Sequence, residues 1–140
     1  MSDPFDLERF VSAQAAVYPS VLAELRDGQK RSHWMWFVFP QLKGLSLSQT
    51  ATHFGIGSRA EAAAYLAHPV LGPRLLECTL AALGVPNKTA FELFGDPDCL
   101  KFCSSMTLFA ELVPEASAFR AALARFFEGE PDERTLALLA

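Results

Sequence analysis

Along most of the chain apolar residues recur every three or four positions, the spacing of one buried helix face. In "DPFDLERFVSAQ" Leu7 leads to Phe10, Val11 and Gln14 on one side, and Ser20 to Arg26 repeats the pattern with Val21, Leu22 and Leu25 inward and Gly28 near the C-cap. Ser58 with Glu61, and Thr89 with Glu92, have capping-box spacing, in which each side chain satisfies an orphan amide at a helix start. The alanine-rich "RAEAAAYLAH" runs until "HP" breaks it. Gly72-Pro73 opens "RLLECTLAAL", where the spacing assigns Leu76 and Leu80 to the core and Gly84 ends the run. Gly95 stops the segment capped by Thr89. "DPDCLKFCSSMTLFAELVP" carries a stripe of Leu100, Cys103, Met106, Thr107 and Ala110 and ends at Pro114. "EASAFRAALARFFEG" turns Phe119, Leu123, Phe126 and Phe127 inward, and "DERTLALLA" closes the chain.

"KRSHWMWFVFPQ", Lys30 to Gln41, breaks this regularity. Its residue types suit a buried strand, but nothing else in the chain supplies a sheet to receive one. The reading is a short helix, apolar all round, with Ser32 as N-cap and Pro40 forcing Phe39 out of the α region. The expected fold is therefore all-α: a single helical domain over residues 1–140, of about eight helices and no significant sheet.

Composition narrows the function classes. A chain of 140 residues is one domain by length. It can bury roughly 70% of its unfolded surface without staples. Hydrophobic residues at 51% and charged residues at 20% exclude a disordered chain, and a net charge of −4 argues against nucleic acid as a partner. An odd cysteine set (Cys78, Cys99 and Cys103) suits a reducing compartment. "MSDPFDLERF" has no cationic start or apolar run of the signal-peptide kind, and no apolar stretch reaches the roughly 18 residues a bilayer needs. The expectation is a cytoplasmic protein without a membrane partner.

Most standard chemistries are missing. "FGIGS" has no third glycine and no preceding strand, and there is no P-loop, G-x-S-x-G or H-x-x-x-H. Cys99 and Cys103 lie one helical turn apart without a histidine near them in sequence, so they read as small core residues, with no metal and no cofactor expected. His53 reads as a surface or capping histidine. His68, before Pro69 at a helix break, and Glu77, within "RLLECTL", are the candidate acid–base residues. Lys30 and Arg31 follow a helix C-terminus, where cations favour the carbonyl end of the dipole. Aromatic planes beside cations also suit a flat ring carrying phosphate, stacking on the ring while the charges hold the anion.

The blocks "DPFDLERFVSAQ", "KRSHWMWFVFPQLKGL", "EAAAYLAHPVLGPRL", "FGDPDCLKFCSSMTLF" and "TLALL" together give the chain a family likeness. It resembles, over nearly its whole length, the bacterial family catalogued as domain of unknown function 1810, whose members are mainly helical and cytosolic. Some carry the label calpastatin, but calpastatins are disordered and this composition is not. Positions matching the family motif include Lys30, Ser32, His33, Trp34, Trp36, Gln41, Tyr65, His68, Arg74, Lys101, Ser104 and Ser105. Two departures stand out: "GLSLS" lacks a glycine after Leu45, and Cys103 stands where relatives often carry arginine. The stretch from His68 to Glu77 is also similar to the NADAR proteins, helical N-glycosidases acting on ADP-ribose derivatives.

Two functions follow as expectations. In the first, a nucleotide-like or ADP-ribose-like ligand stacks on Trp34 or Trp36. Lys30, Arg74 and Lys101 meet its phosphate, Ser104 and Ser105 donate hydroxyls, and His68 with Glu77 assists N-glycosidic hydrolysis. In the second, the same residues hold a helical array whose exposed groove receives a protein partner.

Overall fold

The computed structural model describes residues 3–113 and 117–139, so Pro114, the expected end of the segment that opens "DPDCLKF", lies outside the described residues. Within them are ten helices, more than the eight or so expected. The first five are α1 (Glu8–Ala15), α2 (Tyr18–Asp27), α3 (Met35–Val38), α4 (Gln49–Phe54) and α5 (Arg59–Ala67). They are followed by α6 (Leu71–Leu83), α7 (Ala90–Phe94), α8 (Asp98–Ala110), α9 (Ala118–Phe127) and α10 (Glu133–Leu139). The only strand-like pairing among the described residues is an isolated parallel bridge between Leu42 and Ile56, which ties the segment after α3 to the one after α4. None of the helices is long and apolar enough to cross a membrane.

α8 forms the spine. Residues Ser104 to Ala110 are all buried, and α9, α7 and α10 pack around it. Phe102 anchors its first half, with Phe39 at 5.0 Å edge-on and Phe94 at 4.4 Å. Burying one such ring contributes about 2–3 kcal/mol, and edge-to-face pairing adds about 0.5–1.5 kcal/mol. Phe126 and Phe127 of α9 complete this cluster.

Helix ends follow sequence chemistry in most places. Gly28 takes the left-handed conformation (φ 78°) that closes α2. Thr89 and Glu92 form the full capping box. Ser58 accepts the Glu61 amide, but the Glu61 carboxylate does not return to Ser58. It accepts the Gly57 amide at 3.0 Å and pairs with Arg9 at 2.6 Å, stapling α5 to α1 instead of boxing its own cap.

Other expectations are corrected. Ser32 does not cap α3; Trp34 holds the cap position and the Ser32 hydroxyl donates to Glu24 at 2.6 Å. Leu76 and Leu80 are not core: they are 44% and 52% exposed, because α6 buries the stripe Leu71, Leu75, Cys78, Thr79 and Ala82. Leu100 is exposed as well, lying at the outer edge of the α8 stripe. α4, with Ser48 as its N-cap, is a helix the sequence pattern did not lead one to expect.

Candidate functional site

The two indoles of "SHWMWF" point into different environments. Trp34 is buried, and its Nε1–H donates to Glu24 at 2.9 Å. The same carboxylate accepts the Arg31 and Ser32 amides, so Glu24 organises the whole loop before α3. Burial pushes this carboxyl up, yet the hydrogen bonds from Ser32, Arg31 and Trp34 outweigh it and hold the pKa at about 2. Arg31 and His33 are exposed beside it. Trp36 is only half-buried. Its Nε1–H is shut off from solvent and meets no acceptor among the described residues. The Lys101 ammonium stands 4.8 Å from the centre of the Trp36 ring.

Lys101 and Gln41 border a hollow of about 820 Å³. Leu45 and Leu100 contribute apolar surface, as do Phe126 and Phe127 from the C-terminal end of α9. The remaining wall comes from residues 128–134: Glu128, Glu130, Asp132, Glu133 and Arg134. That segment is fixed by α8. Thr107 Oγ1 accepts the Asp132 amide at 2.8 Å, while Asp132 Oδ2 accepts Ser104 Oγ at 3.2 Å and the Thr135 amide at 3.0 Å. Ser104 thus lines the hollow while also clamping Asp132. Cys103 borders it too, its thiol pushed up to about 11 by burial and by Asp132. Ser105 is fully buried, with no partner for its hydroxyl among the described residues, and does not reach the hollow.

The other candidates lie elsewhere. His68 Nδ1 accepts the Val70 and Leu71 amides at 3.1 and 3.2 Å, capping the start of α6. Close approach makes this possible: a Cβ on Gly72 would stand 2.1 Å from the Leu66 carbonyl oxygen. Tyr65, Arg74 and Glu77 belong to a polar cluster between α1, α2, α5 and α6. Gln14 Nε2 donates to Phe37 O at 2.7 Å and to Tyr65 Oη at 3.2 Å, and Arg74 donates to Gln14 Oε1 at 3.3 Å. Arg74 also stacks on Tyr18 at 4.5 Å, and the Tyr18 hydroxyl donates to Glu77. Burial and that carboxylate drive the Tyr18 pKa upward.

Of the residues singled out in the sequence, the structure therefore brings Gln41, Lys101 and Ser104 to one hollow, with Trp36 against Lys101. It keeps His68, Arg74, Tyr65 and Glu77 apart from them and seals Trp34. The acidic residues 128–133 were missed. Their one sequence signal is Asp132 followed by Thr135, a helix-start pairing that places the segment without showing what it faces. Among the described residues no three His, Cys, Asp or Glu side chains gather as metal ligands.

A family model described as "Protein of unknown function (DUF1810)" matches residues 4–139. The chain is similar to a solved structure, the conserved hypothetical protein Rv1873 from Mycobacterium tuberculosis, at 58% identity and a TM-score of 0.96, covering 98% of each chain. No curated protein matches.

Proposed function

The chain belongs to the DUF1810 family, and from the hollow beside α8 we propose that it is a receptor for a nucleotide-like small molecule. The observation that carries this reading is the meeting of Gln41 with Lys101 and Ser104 of α8, distant from it in sequence, around one cavity of about 820 Å³. That volume lies within the range of roughly 300–1,000 Å³ typical of small-molecule sites. Phe126, Phe127 and Leu100 offer apolar surface to a planar base, while Glu128, Glu130 and Glu133 accept from sugar hydroxyls or an exocyclic amine. Lys101 and Arg134 supply the positive charge. Four carboxylates against two cations favour a ligand of low negative charge over a diphosphate. N-glycosidic hydrolysis by His68 and Glu77 is not part of the proposal, because neither side chain lines this hollow.

A thermal-shift panel of nucleosides, nucleoside monophosphates, ADP-ribose and NAD tests the reading. Ligand at about one hundred times its dissociation constant adds roughly 2.7 kcal/mol, a shift of several degrees for a domain of this size. Silence across the panel with folded protein overturns it.

The second reading, a protein-interaction module, is favoured by one observation. Leu76 and Leu80 stand exposed along α6, in a shallow groove of about 430 Å³ flanked by Arg26 and Glu77. A stoichiometric partner that is lost when both leucines become serine supports it.

A further inference from the structure

Lys30 and Lys101 share one carboxylate. Lys30 Nζ lies 2.7 Å from Asp98 Oδ2 and Lys101 Nζ 3.8 Å from Asp98 Oδ1. All three side chains are largely shielded, at 7%, 18% and 20% exposure, so water screens the group poorly. One positive charge is left over. The shorter contact assigns Asp98 chiefly to Lys30, which places the surplus on Lys101.

A second, independent observation lies next to it. The Trp36 indole N–H is a buried donor without an acceptor among the described residues, an arrangement that is destabilising if left unmet. A narrow cavity of about 10 Å³, the room of roughly one oxygen atom, lies between Trp36, Phe39, Gln41 and Lys101. Gln41 and Lys101 border both this cavity and the larger hollow. Trp36, Gln41 and Lys101 therefore line the narrow cavity together, and Gln41 and Lys101 continue into the wall of the hollow.

We propose that this junction is an oxyanion subsite, in which Lys101, Trp36 and Gln41 hold one phosphate or carboxylate group at one end of the ligand. The inference rests on the receptor reading for the rest of that ligand. It makes the ligand two-ended: an anionic group at Trp36 and Lys101, and a hydroxyl- or amine-bearing end toward the carboxylates of residues 128–133. A nucleoside monophosphate has this form. The acidic wall also explains why the junction favours a single anionic group, since further negative charge meets Glu128, Glu130 and Glu133.

The test follows the indole signals of ¹⁵N-labelled protein, one per tryptophan, assigned with W36F. Inorganic phosphate and acetate are titrated separately at constant ionic strength, with chloride as control. The expected result is a saturable movement of the Trp36 signal with phosphate or acetate, an unmoved Trp34 signal, and an affinity about tenfold weaker in K101M and in Q41E. Two variants guard against one that does not fold, since Gln41 and Lys101 make different contacts. An immobile Trp36 signal, or movement unaffected in both folded variants, overturns the subsite. Adenosine and AMP are then compared by thermal shift. AMP binding at least tenfold tighter than adenosine, an advantage lost in K101M, supports the two-ended ligand. If adenosine binds and AMP gains nothing, the subsite fails while the receptor reading stands. If phosphate moves Trp36 but neither adenosine nor AMP binds, the subsite stands and the nucleotide reading fails.

Discussion

The Glu24 carboxylate accepts the Trp34 indole N–H at 2.9 Å while also accepting the Ser32 hydroxyl and the amides of Arg31 and Ser32. One buried anion thus fixes the loop that delivers α3, setting Trp36 against Lys101 and leading to Gln41 at the hollow. Its pKa is held at about 2 against an ordinary 4.5. A depressed pKa contributes stability that is complete above about pH 4.5 and is lost as pH falls toward 2. The shift corresponds to about 3 kcal/mol at neutral pH. E24Q should lose stability of that order at pH 7, and its stability in urea should fall less than the parent's between pH 4.5 and 2, the remainder coming from carboxyls such as Asp3, Asp27 and Glu92 whose pKa values are also lowered. A variant whose pH profile matches the parent would refute this role for Glu24.

Gly72 allows α6 to start directly under the end of α5. A methyl group there would meet the Leu66 carbonyl oxygen at 2.1 Å, and a backbone atom cannot swing aside as a side-chain tip does. G72A should cost about 3 kcal/mol or more, as overpacked sites do. Equilibrium unfolding in urea measures it; a change below about 1 kcal/mol would show that the two helices separate easily.

On α6 the outer and inner leucines should behave differently. L75A removes a buried side chain and should cost about 2–5 kcal/mol. The double change L76S/L80S acts on exposed positions and should stay near 0.5 kcal/mol per site. Comparable losses from both would place the exposed pair in a contact that isolated protein already makes.

Thiol chemistry reports on the same hollow. Burial and Asp132 push Cys103 up to about 11, and burial pushes Cys78 up to about 12. Because the thiolate is the reactive form, alkylation of Cys103 at pH 8 should be slower than that of free cysteine and accelerate toward pH 11. Bound ligand should protect Cys103, which lines the hollow, and leave Cys78 unchanged. Mass spectrometry of the labelled chain distinguishes the sites; Cys78 reacting first in native protein would contradict the burial argument.

Local chemistry made much of the fold legible. Gly28, Ser58 and Thr89 end or start helices where their side chains and backbone freedom say they should, because capping depends on neighbours a few residues away. Leu76 and Leu80 misled because α6 buries Cys78 and Thr79 in their place, so hydrophobic size pointed to the wrong face. α4 was missed because "QTATHF" is short and largely polar. The site was legible only in part. Gln41, Lys101 and Ser104 carry the residue types of a polar pocket, but their meeting depends on how α3 and α8 pack. The wall of residues 128–134 is set by contacts such as Arg134 to Leu45 O, 89 positions apart, which no local pattern encodes. The separation of Trp34 from Trp36 turned on Glu24, ten residues upstream of Trp34.

Asp98 gives the molecule a remote adjustment. Lys30 does not line the hollow, yet by claiming this carboxylate it decides how much positive field Lys101 projects outward. Exchanging Lys30 for a neutral residue would leave Asp98 to Lys101 alone and bring their joint charge to zero. Ligand preference can then drift from charged toward neutral through a change at an interior position, with every wall residue preserved.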